Sequence, residues 1–192
     1  MSNQQITHYI TWKHKSTDFT APLSLDDKVE IFYEQVYGWQ LNIADKLVNG
    51  NDSIAHADFA CLQIVLSYFE MISKYHEGDT STHGSKRHFK KGVKRVYPNV
   101  FAGQPNIDDL LDRLYVGARC GLYHMGMTKP KLIVYSQAPS IAYDDQKDII
   151  AINTHSLTVE LKTDLASYRD DLKDSSNTTL RSNFEAVFDN DH

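Results

Sequence analysis

Residues 106–127, NIDDLLDRLYVGARCGLYHMGM, combine the apolar stripe of an amphipathic helix with an unusual ending. Asn106 is a favourable N-cap residue, and the two aspartates in the next turn suit the positive end of a helix dipole. The apolar positions recur at helical spacing: Ile107, Leu110, Leu111, Leu114, Ala118 and Leu122. A glycine stands on each side of His124, although one glycine is enough to end a helix. The ending therefore needs an explanation beyond helix termination.

Three further helices are predicted before this segment, which we name the motif helix. The first runs from Ser24 to Gly50, because Ser24 and Asp27 match a capping box and Gly50 is a stop signal. Its predicted buried stripe is Val29, Phe32, Val36, Trp39, Ile43 and Leu47. A second helix is expected over about residues 53–75, and a third over about 86–97, directly before a proline. The predicted buried stripe of the second helix is Phe59, Leu62, Leu66, Phe69 and Ile72.

The pattern changes after the motif helix. KLIVYS (131–136) and DIIAIN (148–153) are β-branched runs, separated in part by the turn-forming YDDQK. We therefore expect a small antiparallel hairpin over about residues 131–153. A fifth helix is predicted from Ser156, and a short last helix over about residues 180–188. The predicted fold class is mainly α, a helical bundle with a small antiparallel β-hairpin after the motif helix.

Length and composition fit one domain with a single core. The 192 residues divide into an N-terminal extension over 1–23 and a helical domain over 24–192. The N-terminus lacks the apolar segment of a secretory signal, and the longest apolar runs are too short to cross a bilayer. Cys61 and Cys120 have no paired spacing, which argues against a disulfide framework or a zinc module. We expect a cytoplasmic protein without a metal or a cofactor.

Charge is unevenly distributed along the chain. The net charge is −5, and residues 144–192 hold 11 acidic and 5 basic residues. By contrast, SKRHFKKGVKR (85–95) is a basic amphipathic segment. Its cations lie on one half of a helical wheel: Lys86, Arg87, Lys90, Lys91, Lys94 and Arg95.

Two interpretations of this basic segment remain open. It is either a strip that binds RNA phosphates without sequence preference, to which His83 and His88 add, or a solvated face that pairs with the acidic C-terminal region. His76 belongs to the same histidine-rich region, but the histidine spacing matches no metal-site pattern.

The spacing of Arg119 and His124 gives little information alone, because a chain with nine histidines contains such pairs by chance. On a straight α-helix, a residue five positions further on is rotated by about 140°, so the two side chains would not share a face. Either Gly121 and Gly126 loosen or end the helix, or the two side chains meet groups from another surface. The second option suggests a homodimer that places two copies of the motif helix side by side.

The segment YVGARCGLYHMGM (115–127) resembles the signature of the HEPN superfamily (higher eukaryotes and prokaryotes nucleotide-binding domains). That signature is an arginine followed within a few positions by a histidine near the end of a core helix, and the matching residues here are Arg119 and His124. The resemblance covers about residues 24–172 in helix order and implies a HEPN-like helical bundle. A hairpin after the motif helix is similar to that of small HEPN proteins.

The resemblance implies a symmetric dimer whose paired motifs form a metal-independent endoribonuclease site. In such a site Arg119 holds the scissile phosphate and His124 acts as acid or base. The products carry 2′,3′-cyclic phosphates, and the substrate is RNA rather than DNA. Tyr123 is a candidate for stacking a base. A role in RNA-based defence, toxin activity or stress response, with an unidentified antitoxin or regulatory partner, also follows from the resemblance alone.

The chain departs from the family pattern at two positions. Cys120 follows the arginine where a polar residue is more usual. Gly126 stands where some family toxins have a tyrosine that a partner nucleotidyltransferase modifies, so that form of regulation is not indicated.

Two other functions remain open: a catalytically inactive nucleotide- or RNA-binding module, and a dimeric interaction module. In a purely structural role, Arg119 pairs with Asp112, Asp109 or a carboxylate on a neighbouring helix. His124 would then bind the last carbonyls of its own helix.

Overall fold

The computed structural model describes residues 7–51 and 53–191 and shows a mainly helical protein with a small sheet. Within these residues the α-helices are α1 (Leu25–Val36), α2 (Asn42–Asn49), α3 (Asp58–Glu77), α4 (Ser85–Val96), α5 (Ile107–Leu114), α6 (Gly121–Met125), α7 (Thr154–Lys173) and α8 (Thr178–Asp191). The strands are β1 (Leu132–Val134), β2 (Ile141–Asp144) and β3 (Ile149–Ile152). The prediction of a mainly α fold is confirmed.

The first predicted helix begins as expected but is not continuous. The Ser24 hydroxyl accepts a hydrogen bond from the Asp27 backbone N–H, and the Asp27 carboxylate accepts one from the Ser24 N–H, which completes the capping box. The helix then passes through a π-helical segment, Tyr37–Leu41, before α2. A π turn holds more residues than an α turn, so it shifts the register of every later side chain.

This shift overturns part of the predicted buried stripe. Trp39 and Ile43 are each 45% exposed, whereas Leu41, Ala44 and Val48 are buried in their place. The step from buried Val36 to buried Leu41 spans five positions, which an uninterrupted α-helix would not place on one face.

Helix α3 lies at the centre of the bundle and packs against α2, α4, α7 and α8. It begins at Asp58 rather than near residue 53, because residues 55–57 form a turn. Its predicted stripe is confirmed at Leu62, Leu66, Phe69 and Ile72, which are buried, and Phe59 is half-buried. Cys61 is also buried, as expected, and burial raises the pKa of its thiol to about 12.

The predicted antiparallel pairing of residues 131–136 with 148–153 is wrong, although an antiparallel hairpin, β2–β3, does lie after the motif helix. β1 pairs in parallel with β3, with Leu132 opposite Ile150 and Val134 opposite Ile152. The antiparallel partner of β3 is β2, a strand that the sequence analysis missed, and the strand order is β1-β3-β2. YDDQK therefore contains the end of β2 and the turn into β3.

Asn153 links the sheet to α7. Its amide N–H groups donate to the carbonyls of Ser136 and Ala138, at 2.9 and 2.8 Å, which holds the chain after β1 beside the end of β3. Its side-chain oxygen accepts from the backbone N–H groups of His155 and Ser156. Asn153 is thus the N-cap of α7, so this helix begins at Thr154 and not at Ser156 as predicted.

The described part of the N-terminal extension, residues 7–23, folds against α1. The Trp12 indole N–H donates to the Glu34 carboxylate, and the Lys13 ammonium contacts the same carboxylate at 2.9 Å. Glu34 is buried, so these two contacts compensate a charge that would otherwise be costly to bury. Within residues 7–51 and 53–191, none of the helices has the length and apolar character that a membrane-spanning helix needs.

Candidate functional site

The motif helix is built from three consecutive helical segments. α5 continues into a π-helical segment, Tyr115–Cys120, which continues into α6. Asn106 occupies the N-cap position, although its side chain makes no capping hydrogen bond. π-Helical turns within α-helices are frequent at functional sites, and this one contains Arg119.

Glycine is required at two positions near the end of the motif helix, for different structural reasons. Gly126 ends α6 with φ of 70°, a left-handed conformation that glycine adopts without steric strain. At Gly121, a Cβ atom would lie 2.7 Å from the Met127 carbonyl oxygen, so only glycine lets the chain after α6 pass this close. The returning chain is fixed further on by a 2.9 Å hydrogen bond from the Lys129 backbone N–H to the Gly117 carbonyl. The glycines therefore shape a tight return across the motif helix.

Arg119 is a quarter exposed and weakly held by its own chain. One of its terminal nitrogens lies 3.5 Å from the Glu70 carboxylate of α3, so it pairs with a neighbouring helix and not with Asp112 or Asp109. Glu70 itself accepts a 2.5 Å hydrogen bond from the Ser85 hydroxyl. Because this contact is at the distance limit of a hydrogen bond, Glu70 holds the Arg119 guanidinium only weakly.

Tyr123 lies between Arg119 and His124. The Arg119 guanidinium carbon is 5.1 Å from the centre of the Tyr123 ring, a cation–π distance. The Tyr123 and His124 rings meet edge to face at 5.1 Å and 87°. Although their spacing puts Arg119 and His124 on different faces, the tyrosine connects them into one row, which we name the Arg–Tyr–His row.

The Tyr123 and His124 side of the row is open to solvent, whereas Arg119 is a quarter exposed. Tyr123 is 73% exposed, and His124 is exposed too. Within the described part of the chain, the His124 ring has an aromatic contact to Tyr123 and no hydrogen-bond partner. The expectation that His124 binds the last carbonyls of its helix in a structural role is therefore not met.

A cleft of about 360 Å³ borders the row between the motif helix and α3. Its floor is apolar, and its rim carries two polar residues of α3, Gln63 and Ser67, beside Arg119 and Tyr123. Gln63 donates a 3.0 Å hydrogen bond to the Leu122 carbonyl, which joins the two walls. The apolar floor is formed by Leu62, Leu66 and Leu122. A cation and an exposed aromatic ring on one rim suit a ligand with a phosphate and a planar base.

The sequence analysis missed the contribution of α3 to this site. Gln63, Ser67 and Glu70 follow each other at helical spacing and form a polar row in the middle of α3, between apolar residues. That row was a signal of a functional face, but its proximity to Arg119 depends on how α3 docks on the motif helix. Cys120, next to Arg119, is half-buried.

The basic face of α4 is charge-compensated by the protein itself. Lys86 and Lys90 contact the Asp112 carboxylate at 2.6 and 2.9 Å, and Lys94 contacts Asp108 at 3.0 Å. These carboxylates belong to α5, so the two helices are joined by a row of ion pairs. This pairing holds the pKa of both aspartates below the ordinary range.

The remaining cations of α4 pair with carboxylates on other sides. Arg87 contacts Asp79 at 2.6 Å and Lys91 contacts Glu77 at 2.6 Å, both at the C-terminal end of α3 and just beyond it. Arg95 forms a two-pronged contact with Asp164 of α7, at 3.0 and 3.2 Å.

The expected pairing with the acidic C-terminal region therefore holds for Arg95, whereas the other five cations of α4 pair with carboxylates of residues 77–112.

The histidines near α4 occupy different environments. His88 is fully buried, with its ring nitrogens 3.2 Å from the Ser73 hydroxyl and 2.8 Å from the Asp79 carboxylate, so it does not extend the basic face as predicted. His83 is exposed. Burial, and then the charge of Arg95, lower the pKa of His76 to about 4. Among residues 7–51 and 53–191, no group of three histidine, cysteine or acidic side chains is placed to hold a metal ion.

Comparison with known proteins gives no family assignment. No protein-family model, no curated protein and no solved structure matches this chain. The HEPN interpretation therefore depends on the motif residues and on the geometry around them.

Proposed function

We propose that the protein is a HEPN-like, metal-independent endoribonuclease that acts as a symmetric homodimer. The observation that supports this most directly is the Arg–Tyr–His row: Arg119 and Tyr123 line one cleft, and the His124 imidazole contacts the Tyr123 ring. These are the groups that RNA cleavage by transesterification requires: a phosphate ligand, a stacking surface for a base and a proton carrier. A role in defence, toxin activity or stress response, together with an unidentified antitoxin or regulatory partner, belongs to the same proposal.

The chemistry assigns one role to each side chain. The ribose 2′-oxygen attacks phosphorus, its proton passes to an imidazole, and the bond from phosphorus to the 5′-oxygen breaks as that oxygen receives a proton. The products are a 2′,3′-cyclic phosphate and a 5′-hydroxyl. The ordinary pKa of an imidazole, about 6.5, lets histidine serve in either transfer near neutral pH. Arg119 neutralises the charge that builds on the phosphate oxygens.

Dimerisation through the motif helix would complete this site. One chain supplies a single His124, and within the described residues no side chain forms a hydrogen bond with its ring, whereas the reaction needs both an acid and a base. Exposed apolar side chains surround it, with Met125 and Met127 at 78% and 59% exposure. Burial of these side chains against a second copy would stabilise the pair and bring the two histidines together.

The α4 cations take a secondary role in this proposal. They face solvent beside the site as a shallow basic surface, lined by Lys86, Arg87, Lys90, Lys91 and Lys94. Arg95 belongs to the same helix but is committed to Asp164. Phosphates would compete here with carboxylates already bound, so we expect a weak, salt-sensitive contribution to RNA affinity.

The test compares three purified proteins on a mixture of structured and single-stranded RNA in the presence of a chelator. Wild-type protein should cleave, and His124→Ala should lose about 10²–10⁴-fold in rate. His56→Asn removes another exposed histidine, outside the site and the α4 surface, and keeps a residue type that tolerates its left-handed backbone, so this variant should cleave like wild type. Cleavage that survives in His124→Ala, with a folded and dimeric protein, would refute the assignment.

A catalytically inactive RNA- or nucleotide-binding module is the second candidate function. It is favoured by Cys120, which replaces a more usual polar residue beside Arg119, and by the absence of a partner for the His124 ring within the described residues. This candidate predicts salt-dependent RNA binding without turnover. An interaction module without nucleic-acid affinity would instead show a dimer and no RNA binding at any salt concentration.

A further inference from the structure

A second cleft lies beside the motif helix, separate from the one at the Arg–Tyr–His row. It has a volume of about 290 Å³, at the lower end for small-ligand sites, and it shares neither Arg119 nor Tyr123. Its floor is formed by the motif helix and the returning chain, and its rim is rich in cations. The residues that line it are Lys86, Asp112, Arg113, Val116, Gly117, Lys129, Pro130, Lys131 and Leu132.

The rim keeps an excess of positive charge. Lys131 and Arg113 both contact the carboxylate of Asp148, Arg113 at 2.5 Å. Lys86 contacts Asp112 at 2.6 Å, and Lys129 has no carboxylate partner within the described part of the chain. Four cations thus face two carboxylates, in a protein whose net charge is −5.

The two carboxylates orient the cations without using all their donors. Arg113 donates from one terminal nitrogen to the Asp148 carboxylate and from the other to the Asp148 carbonyl, at 2.5 and 3.0 Å, which fixes its guanidinium plane. A lysine ammonium has three N–H donors, so Lys86 and Lys131 keep donors for a ligand after each ion pair is made. Lys129 keeps all three.

The backbone on both sides of the cleft is held in an unusual conformation. Lys131 and Asp148 have φ values of 69° and 54°, in the left-handed region that residues other than glycine adopt less often. Such strain persists only where the surrounding structure enforces it, and it concentrates at binding sites. Gly117 contributes from the other side, because a Cβ atom there would lie 2.2 Å from the Leu132 side chain. This close approach places Lys129 over the motif helix.

We propose that this cleft binds a phosphate group, with Lys129 as its main uncommitted donor and Arg113 as the oriented fork. A phosphate offers several acceptor oxygens to a set of converging N–H donors, whereas a single carboxylate would satisfy fewer of them. Lys86 also lines the basic surface of α4, so the cleft is the end of a continuous basic track. The phosphate therefore belongs either to an RNA backbone or to a small phosphate-bearing ligand. The proposal does not depend on catalysis at His124.

The experiment measures binding with protein that carries His124→Ala, so that cleavage cannot interfere. The probes are inorganic pyrophosphate, followed by calorimetry, and a short 5′-labelled single-stranded RNA, followed by fluorescence anisotropy. Lys129→Gln should weaken binding about tenfold and lower the salt dependence of RNA binding. Lys173→Gln, an exposed lysine on α7, is the matched control and should bind like its parent.

The outcomes separate the two sources of phosphate. If pyrophosphate displaces the RNA and Lys129→Gln weakens RNA binding, the phosphate at the cleft belongs to RNA. Pyrophosphate binding that needs Lys129, without RNA binding, identifies a small phosphate-bearing ligand. If neither probe binds, or if Lys129→Gln behaves like Lys173→Gln while its thermal melt is unchanged, the proposal is wrong. Cleavage that survives in His124→Ala would refute the proposed endoribonuclease but would leave the pyrophosphate result and its dependence on Lys129 unaffected.

Discussion

The end of the motif helix and the basic face of α4 both present cations to solvent, but they differ in how those cations are held. Each of the six cations of α4 has a carboxylate within 2.6–3.0 Å. Arg119 has its carboxylate at 3.5 Å, and within the described residues the His124 ring has an aromatic neighbour and no hydrogen-bond partner.

The difference shows that a dense row of cations in a sequence is not the same as charge available for a ligand. The cations of the α4 face form ion pairs that join α4 to α3, α5 and α7, so they stabilise the fold. At the end of the motif helix, Arg119 has a single long ion-pair contact and the His124 ring has no hydrogen-bond partner within the described residues, so both are more available for binding and chemistry. The following changes would break or sharpen this contrast.

The largest effect should come from Arg119→Ala. Loss of the guanidinium removes the proposed phosphate ligand and should lower the rate of RNA cleavage about 10²–10³-fold under single-turnover conditions. Stability should hardly change, because the Glu70 contact is long and partly solvated. Arg119→Lys retains the charge without the fork and should recover part of the rate. A rate equal to wild type in Arg119→Ala would contradict the role given to the motif helix.

Gly121→Ala should destabilise the protein by about 1–3 kcal/mol, because the new methyl group would meet the Met127 carbonyl at 2.7 Å. Gly126→Ala is the matched control: its Cβ has open space and only the left-handed φ opposes it, so about 1 kcal/mol is expected. Urea unfolding of both variants measures the difference. Equal stability of Gly121→Ala and wild type would show that the return across the motif helix is not rigid.

Part of the pH dependence of stability should come from the half-buried His76. The pKa of His76 falls to about 4 on folding, so between pH 6.5 and 4 the unfolded chain binds the proton and the folded chain does not. The free energy of unfolding should therefore decrease as the pH is lowered through this window. His76→Gln should flatten that decrease, as measured by denaturant titration at several pH values.

The smallest effect on RNA should come from the α4 face. The triple change of Lys90, Lys91 and Lys94 to glutamine should lower RNA affinity by only about twofold to threefold, less than Arg119→Ala, because each lysine already has a carboxylate partner. The same variant should lose about 1 kcal/mol of stability or less for each surface ion pair. An affinity loss larger than that of Arg119→Ala would identify α4 as the principal RNA surface.

Local signals predicted much of the fold. The capping box at Ser24 and Asp27 and the apolar stripe of α3 depend on neighbours within one or two turns, so the sequence alone was sufficient. The π-helical segment at Tyr37–Leu41 has no such signal, and the wrong assignment of Trp39 and Ile43 to the core followed from it.

Long-range pairing was harder to predict. β1 lies parallel to β3 because β2 occupies the antiparallel edge and Asn153 ties down the chain after β1, and neither fact is visible in the two β-branched runs. The candidate site shows the same limit. Arg119 and His124 were found from their motif, whereas Glu70 and Gln63 lie on α3 and reach the site only through the docking of helices.

The most direct test of the central claim is an analysis of product ends after wild-type protein is incubated with RNA in chelator. The substrate is used in two forms, one all-ribose and one with a 2′-deoxyribose at the main cleavage position. Our account predicts 2′,3′-cyclic phosphate ends from the ribose substrate and no cleavage at the deoxyribose position, because the 2′-oxygen is the nucleophile. Cleavage at the deoxyribose position, or products with 5′-phosphate ends, would contradict the assignment of the Arg–Tyr–His row as an RNA transesterification site.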